Sequence, residues 1–448
     1  MNLPLNLPKK IFRSYDIRGI YPTDINQEVA FVIGQAFAQL IQAKKVVVGR
    51  DARLSSPELH QALIEGLINQ GVEVHDLGLV PSELIYFAVG KYGYDGGAMI
   101  TASHNSKEYN GIRFVNNKVE MLPGKVVYEF IASKKAFSPA ETPGRVESKN
   151  YLTGYIQHVL SFIDINQVKP LKIVIDAGNG VASTVIPELA KRLPIKIYPL
   201  FFELDGNFPS HSPNPVLPEA RLACSQSVLE KKADFGILFD GDADRAMLMT
   251  EKGEWIRGDI GLLLLAKQLL KKNPGKGISY NVVCSRAIPE KIIEWGGRPL
   301  RTPVGFVNVS GALRKYDGVL GGETSAHYCF RDNYYADSGM ITFVIIVQML
   351  SEENQTMSQL VADLNPYHRI EEYFTIDDQQ PIIQALNQDY ADGKKDTLDG
   401  LTIEYDDWWF NVRPSNTEPL LRLTVEAKSE TLLRDKLHQL KKYFITKR

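Results

Sequence analysis

Two short runs of this chain carry side chains that could do chemistry together. Ile100-Thr101-Ala102-Ser103-His104-Asn105 presents a hydroxyl, Ser103, after the apolar approach Gly97-Ala98-Met99. Far downstream, Asp240-Gly241-Asp242-Ala243-Asp244-Arg245 presents three carboxylates spaced two residues apart. Hard carboxylate oxygens at this density suit Mg²⁺, which takes few protein ligands and completes its shell with phosphate or water oxygens. A serine that carries a phosphoryl group gains close to two negative charges. Three aspartates would repel that group unless a cation lay between them. Hydroxyl, carboxylates and metal therefore form one self-consistent set for phosphoryl transfer. Taken singly, each run also has a plainer reading. Ser103 fits a capped turn, and the aspartates fit a solvated acidic turn, because Asp-Gly is a common turn dipeptide. The glutamate and spacing of an EF-hand loop are absent, as is the Gly-x-Ser-x-Gly elbow of a serine hydrolase.

Further polar runs supply cations and hydroxyls. Tyr15-Asp16-Ile17-Arg18-Gly19 and Gly49-Arg50-Asp51 place arginines in early loops, and Arg245 closes the aspartate run. Arg413-Pro414-Ser415-Asn416-Thr417-Glu418-Pro419 has the composition of an anion cradle, in which guanidinium and backbone N–H groups surround phosphate oxygens. A polar turn between strands accounts for it equally well. Gly321-Gly322-Glu323-Thr324-Ser325-Ala326-His327 suits the holding of sugar hydroxyls through Glu323, or a glycine turn followed by a helix cap at Thr324 or Ser325.

The elements that must position these runs alternate between strand and helix. Residues 26–42 carry apolar side chains at helical spacing, Lys45-Val46-Val47-Val48 reads as a buried strand, and Val72-Glu73-Val74 as the next one. Ser55-Ser56-Pro57-Glu58 has the form of a helix start with a serine cap and proline in the first turn. The rhythm restarts at Leu171-Lys172-Ile173-Val174-Ile175 and again near Trp255, with a strand within residues 278–284. Phe235-Gly236-Ile237-Leu238-Phe239 is a buried strand with Asp240 at its end, where ligands gather in open α/β sheets. Three α/β units of similar length suggest a triplicated fold. Residues 138–150 and the segment around Glu251-Lys252-Gly253 read as linkers. After Asn365-Pro366 the character changes: strands at 373–376, 401–405 and 421–427 and a closing basic helix predict a smaller α+β domain.

The totals narrow the class of function. A chain of 448 residues is too long for one core. A net charge of −2 offers no global attraction to nucleic acid or an acidic membrane, and there is no basic stripe. Cys224, Cys284 and Cys329 are sparse and lack metal-ligand spacing, as expected in a reducing cytoplasm. The N-terminus has no apolar signal core, and the longest apolar stretch, 340–350, is too short for a bilayer and reads as a buried helix. These features predict a cytoplasmic protein that binds neither nucleic acid nor membrane.

In order along the whole chain, the motifs resemble the α-D-phosphohexomutase family, and within it the bacterial phosphomannomutase/phosphoglucomutase branch. The blocks that carry the resemblance are residues 12–19, 101–105, 240–245, 322–327 and 413–417. The resemblance implies an α/β fold: three related mixed-sheet α/β domains and a C-terminal α+β domain around a central cleft. The boundaries read as 1–148 with the phosphoserine loop, 149–250 with the metal loop, 251–366 with the sugar loop and 367–448 with the phosphate loop.

It also implies Ser103 as phosphoryl carrier and, with Asp240, Asp242 and Asp244, as a Mg²⁺ ligand. His104, Arg113, Arg245 and His327 join Ser103 in the catalytic set. Tyr15, Arg18, Glu323, Ser325 and His327 contact the substrate, and Arg413, Ser415, Asn416 and Thr417 hold its non-reacting phosphate. The implied reaction interconverts hexose 6-phosphate and hexose 1-phosphate through hexose 1,6-bisphosphate, which also serves as activator. The small-molecule partner is then a sugar phosphate, and the assembly a monomer or weak homodimer.

Three positions depart from the family pattern. Arg113 stands where the family has a lysine, and a guanidinium with a pKa above about 12 is a poor general base. His327 is the alternative, since imidazole titrates near neutrality. Val283 and Phe306 stand where some members have lysine and histidine. Two other functions fit the sequence less well. Phosphoglucosamine mutases usually read Gly-Glu-Gln-Ser-Gly-His in the sugar loop, where this chain has Thr324 and Ala326. A non-catalytic sugar-phosphate binder would have lost Ser103 or an aspartate, and all four are present.

Overall fold

The computed structural model describes residues 7–414 and 420–445. They form two compact units: Met1–Arg257 with Ser325–Ser358, and Gly258–Thr324 with Gln359–Arg448.

The first unit holds two sheets. Strands Ile17–Ile20 (β1), Lys45–Arg50 (β2), Glu73–Leu79 (β3), Gly96–Ile100 (β4), Tyr109–Asn116 (β5) and Val146–Ser148 (β6) pair in the order β1-β5-β4-β2-β3-β6. Strands Leu171–Asp176 (β7), Ile195–Leu200 (β8), Phe235–Phe239 (β9) and Ala246–Thr250 (β10) pair as β10-β9-β7-β8. In the second unit Gly277–Asn281 (β11) lies between Arg298–Thr302 (β12) and Leu320–Gly322 (β13), parallel to both. The chain returns to the first unit for Tyr328–Phe330 (β14) and the helix Gly339–Glu352, nearly all of it buried. It ends in the second unit with His368–Thr375 (β15), Lys394–Asp396 (β16), Leu401–Glu404 (β17), Trp408–Pro414 (β18) and Leu420–Ala427 (β19), an antiparallel sheet in the order β15-β19-β18-β17-β16.

The triplication is visible in the strand order. In β4-β2-β3, β9-β7-β8 and β13-β11-β12 the strand that comes first of the three in sequence is central and parallel to the other two. An antiparallel hairpin partner follows β4 and β9, namely β5 and β10. The functional runs follow the equivalent strand each time: Ser103 after β4, Asp240 after β9 and Glu323 after β13. Parallel strands deliver these loops at their carboxyl ends, where backbone groups are no longer spent on the ladder.

Strands β2 and β9 form where the reading placed them because each is a β-branched or aromatic run buried on both faces. Val46, Val47 and Val48 are fully buried, as is the whole of β9. The helix Gln27–Leu40 begins at Asn26, whose side chain accepts from the Val29 N–H at 3.0 Å. Two expectations need correction. Ser55 does not cap the helix Ser56–Asn69; its backbone is helical and its hydroxyl accepts from Asn110 Nδ2 at 2.8 Å. The stretch 138–150 is not only a connection. Its residues 146–148 form β6, paired in parallel with β3, because the Val74 N–H and Asp76 carbonyl on that edge need partners. Residues 251–253 make a tight turn, closed by Thr250 N–H to the Glu254 carbonyl at 2.8 Å. Among the described residues, no helix is long and apolar enough to cross a membrane.

Candidate active site

The serine loop leaves β4 and turns sharply. Ser103 has φ +50°, a left-handed backbone that a non-glycine residue adopts at a cost of about 1–2 kcal/mol. Several bonds hold it there. Its N–H donates to Thr101 Oγ1 at 2.8 Å, and its carbonyl accepts from Arg53 Nη2 at 2.7 Å. Its Oγ donates to Asp240 Oδ2 at 2.7 Å and lies 3.2 Å from His104 Nδ1. The two loops meet without an intervening side chain because residue 241 is glycine. A Cβ there would stand 2.8 Å from the Ser103 carbonyl oxygen.

Asp240, Asp242 and Asp244 are buried and offer oxygens that all lie within 4.8 Å of one another. The alternation Asp-Gly-Asp-Ala-Asp turns all three inward, with Ala243 at φ +65°. Asp242 accepts from Ser82 Oγ at 2.7 Å, and its Oδ1 is buried with no hydrogen-bond partner. Burial and the neighbouring Asp244 push the Asp240 and Asp242 carboxyls above the usual range. Burial acts on Asp244 too, but Arg113, with His327 and Arg245, outweighs it and holds that carboxyl far below. An orphaned buried oxygen among three converging carboxylates is an arrangement that a hard divalent cation satisfies. The acidic turn is therefore not solvated, and the cluster can hold a metal.

Cations line the same site. Arg113, on β5, pairs with Asp244 and lies 3.7 Å from Asp242. Burial alone would lower its pKa, yet Tyr86, Asp244, Asp242 and Asp337 raise it well above the ordinary value. The guanidinium thus stays charged. Arg245 N–H donates to Asp240 Oδ1 at 3.2 Å, and its Nε lies 3.1 Å from His327 Nε2. His327 also lies 3.2 Å from Asp244 Oδ1, with its Nδ1 3.1 Å from Ser325 Oγ. Burial, reinforced by Arg245 and Arg18, drives the His104 imidazole far below its usual pKa, so that it is neutral. Arg18 stands on β1 rather than in a loop, and its guanidinium bonds Asp16 and Asn105 of the serine loop. Tyr15 is exposed nearby in sequence.

The first unit therefore gathers Ser103, His104, Arg113, Arg245, His327, Ser325 and the three aspartates. Glu323 and Arg413 belong to the second unit. Glu323 accepts from Asn281 Nδ2 at 3.3 Å. The turn at 323–327 leads into no helix, so the cap reading of Thr324 or Ser325 falls away. Arg413 is buried on β18 with an Nε that lacks a hydrogen-bond partner, 4.0 Å from Asp399. Ser415, Asn416 and Thr417 lie outside the described residues.

Three residues of these sites escaped the sequence reading. Arg53 bonds the serine loop through carbonyls some 50 residues away, which no local motif reports. Asp337 is buried against Asp244 and His327, with both oxygens unpartnered and its carboxyl pushed up to about 7 by burial and Asp244. It stands alone between Ala336 and Ser338, with no spacing to mark it. Arg422 sits across the strand pair from Arg413, and its Nε is likewise buried and unpartnered. The alternation Leu421-Arg422-Leu423-Thr424-Val425 was the available signal: a charge on the non-core face of a strand beside Arg413.

Comparison with known proteins covers the chain from end to end. The three α/β/α domains of the phosphoglucomutase/phosphomannomutase family match residues 9–135, 153–253 and 257–367, and its C-terminal domain matches residues 372–442. A phosphomannomutase of Vibrio cholerae is 38% identical, over 96% of this chain and 97% of its own. A phosphomannomutase/phosphoglucomutase of Pseudomonas aeruginosa is 35% identical, over 95% and 93%. The crystal structure of a phosphoglucomutase/phosphomannomutase family protein from Burkholderia thailandensis superposes with a TM-score of 0.90 at 33% identity, covering 98% of this chain and 97% of that one.

Proposed function

Since the chain belongs to the phosphoglucomutase/phosphomannomutase family and is a phosphohexomutase, we propose that it moves a phosphoryl group between O6 and O1 of mannose or glucose by way of Ser103. The observation that supports this reading is the Ser103 hydroxyl, 2.7 Å from Asp240 in a buried aspartate cluster that keeps an orphaned Asp242 oxygen.

In the first half-reaction a sugar hydroxyl oxygen bonds to phosphorus, the bond from phosphorus to Ser103 Oγ breaks, and the hydroxyl proton passes to a base. The product is hexose 1,6-bisphosphate. In the second half-reaction its other phosphoryl group returns to Ser103. Arg113 does not serve as base because it stays protonated; it and Arg245 stabilise charge on the transferring oxygens. His327, within 3.2 Å of Asp244 and Arg245, takes the proton. Neutral His104 orients the serine hydroxyl. Mg²⁺ held by Asp240, Asp242 and Asp244 with the serine-borne oxygen would neutralise phosphate charge. Tyr15, Arg18, Glu323 and Ser325 contact the sugar phosphate, while Arg413 with Ser415, Asn416 and Thr417 holds the phosphate that does not react. That cradle reads phosphate and not the sugar end, so that both poses of the bisphosphate fit.

The test is direct. The purified protein is expected to carry phosphate on Ser103, read by mass spectrometry. It is expected to convert mannose 1-phosphate and glucose 1-phosphate when given Mg²⁺ and a trace of hexose 1,6-bisphosphate. Normal turnover by Ser103→Ala would overturn the carrier assignment. Competition between the two sugar phosphates ranks the epimers.

A further inference from the structure

One buried charge at the site is used by none of this chemistry. Arg53, on the turn after β2, is fully buried. Its Nη2 donates to the carbonyls of Ser103 at 2.7 Å and Asn105 at 2.6 Å. Its Nη1 donates to those of Ser106 at 2.7 Å and Tyr109 at 3.0 Å. Its Nε donates to Asp51 Oδ2 at 3.1 Å. The same carboxylate oxygen accepts from Thr101 Oγ1 at 2.8 Å, and that hydroxyl oxygen accepts the Ser103 N–H. The circuit is closed: residue 103 is gripped at its carbonyl by Arg53 and at its N–H by Thr101, and both grips meet at Asp51. The Phe208 ring packs on the guanidinium, 5.1 Å from its centroid.

Four carbonyls aimed at one point match a planar fork of donors, and a lysine ammonium cannot replace that fork. The grip also fixes the left-handed backbone of Ser103, which an L residue leaves when nothing holds it.

We infer that Arg53 is a positioning residue for phosphoryl transfer: it clamps the serine loop so that phosphorus on Ser103 meets a sugar hydroxyl in preference to water. The inference rests on Ser103 as carrier. In productive transfer the sugar oxygen bonds phosphorus, the link to Oγ breaks and the displaced proton ends on Oγ. In the wasteful reaction a water oxygen bonds phosphorus, the same link breaks, Oγ regains a proton and inorganic phosphate leaves. The bond broken is common to both, so the placement of phosphorus decides between them.

The experiment loads the full chain with labelled hexose 1,6-bisphosphate and follows two rates from phospho-Ser103: transfer to hexose phosphate, and release of inorganic phosphate. The variants are Arg53→Lys and Thr101→Val. The ratio of transfer to release is expected to fall about a hundredfold in the first and about tenfold in the second, with KM for hexose phosphate little changed. Thermal melting identifies a variant that has not folded. Should Arg53→Lys fail there, Thr101→Val carries the same test, because it breaks the circuit at its other grip. A folded variant with an unchanged ratio overturns the clamp. A wild-type chain that accepts no phosphate at Ser103 overturns the carrier reading, and the clamp with it.

Discussion

The serine–aspartate site of the first unit and the polar face of the C-terminal sheet are both buried and charged, yet they are built differently. Around Ser103 most polar atoms have partners within the chain: Arg53 spends its donors on four carbonyls and Asp51, and Arg113 is paired with Asp244. On the C-terminal sheet, Arg369, Arg413 and Arg422 each keep a buried Nε without a hydrogen bond. The first arrangement is finished before substrate arrives, except for a cation. The second leaves donors unspent at a desolvation cost that an incoming anion would repay. Geometry that must be exact at the moment of transfer is fixed in advance. On the proposed reading, geometry that must only grip a phosphate waits for it.

Substitutions probe this difference, and the largest effect belongs to the prebuilt site. Ser103→Ala is expected to lower turnover by at least about 10³-fold, measured with bisphosphate present, because it removes the oxygen that would carry the phosphoryl group. Asp240→Asn keeps the shape but removes a charge. Its kcat is expected to drop about 10²-fold, with a higher Mg²⁺ concentration needed for half-maximal activity. In the waiting site the loss appears in binding instead. Arg413→Lys is expected to raise KM for hexose phosphate about tenfold and leave kcat within a few-fold, as the planar fork is lost but a charge remains. Equal losses in kcat for Asp240→Asn and Arg413→Lys would erase the distinction.

The smallest effect concerns Glu83, which helps frame the prebuilt site. It lies in the first turn of the helix Ser82–Tyr92, next to the Ser82 that bonds Asp242, and accepts from Ser338 Oγ. Burial pushes its carboxyl from 4.5 up to about 8. A raised pKa in the fold means that stability is fully present below pH 4.5 and is lost as pH climbs through 8. Glu83→Gln is therefore expected to flatten melting temperature between those limits and to be the more stable chain at pH 9, by roughly 1–3 kcal/mol. A parallel pH dependence in both chains would remove Glu83 from the framing of the site.

Strands and loops that carry local patterns were legible. The β-branched run of β2, the aromatic run of β9 and the aspartate alternation after it each report themselves within a few residues. What stayed hidden depends on distance along the chain. Arg53 looks like any polar turn residue until four carbonyls from residues 103–109 converge on it. Asp337 acquires meaning only when the chain brings it to Asp244 and His327. Ser55 misled because its sequence context is that of a cap, while the Asn110 side chain claims its hydroxyl first. The pairing of residues 146–148 with β3 was invisible for the same reason: a three-residue strand has no period to read.

That short strand governs how the chain can be divided. The domain I match stops at residue 135, which invites a cut there. Such a fragment would lack β6 and would present the outer ladder of β3 to solvent as an unguarded template, ready to recruit another copy of itself. A soluble excised lobe needs residues 136–150 as a built-in stopper against self-association.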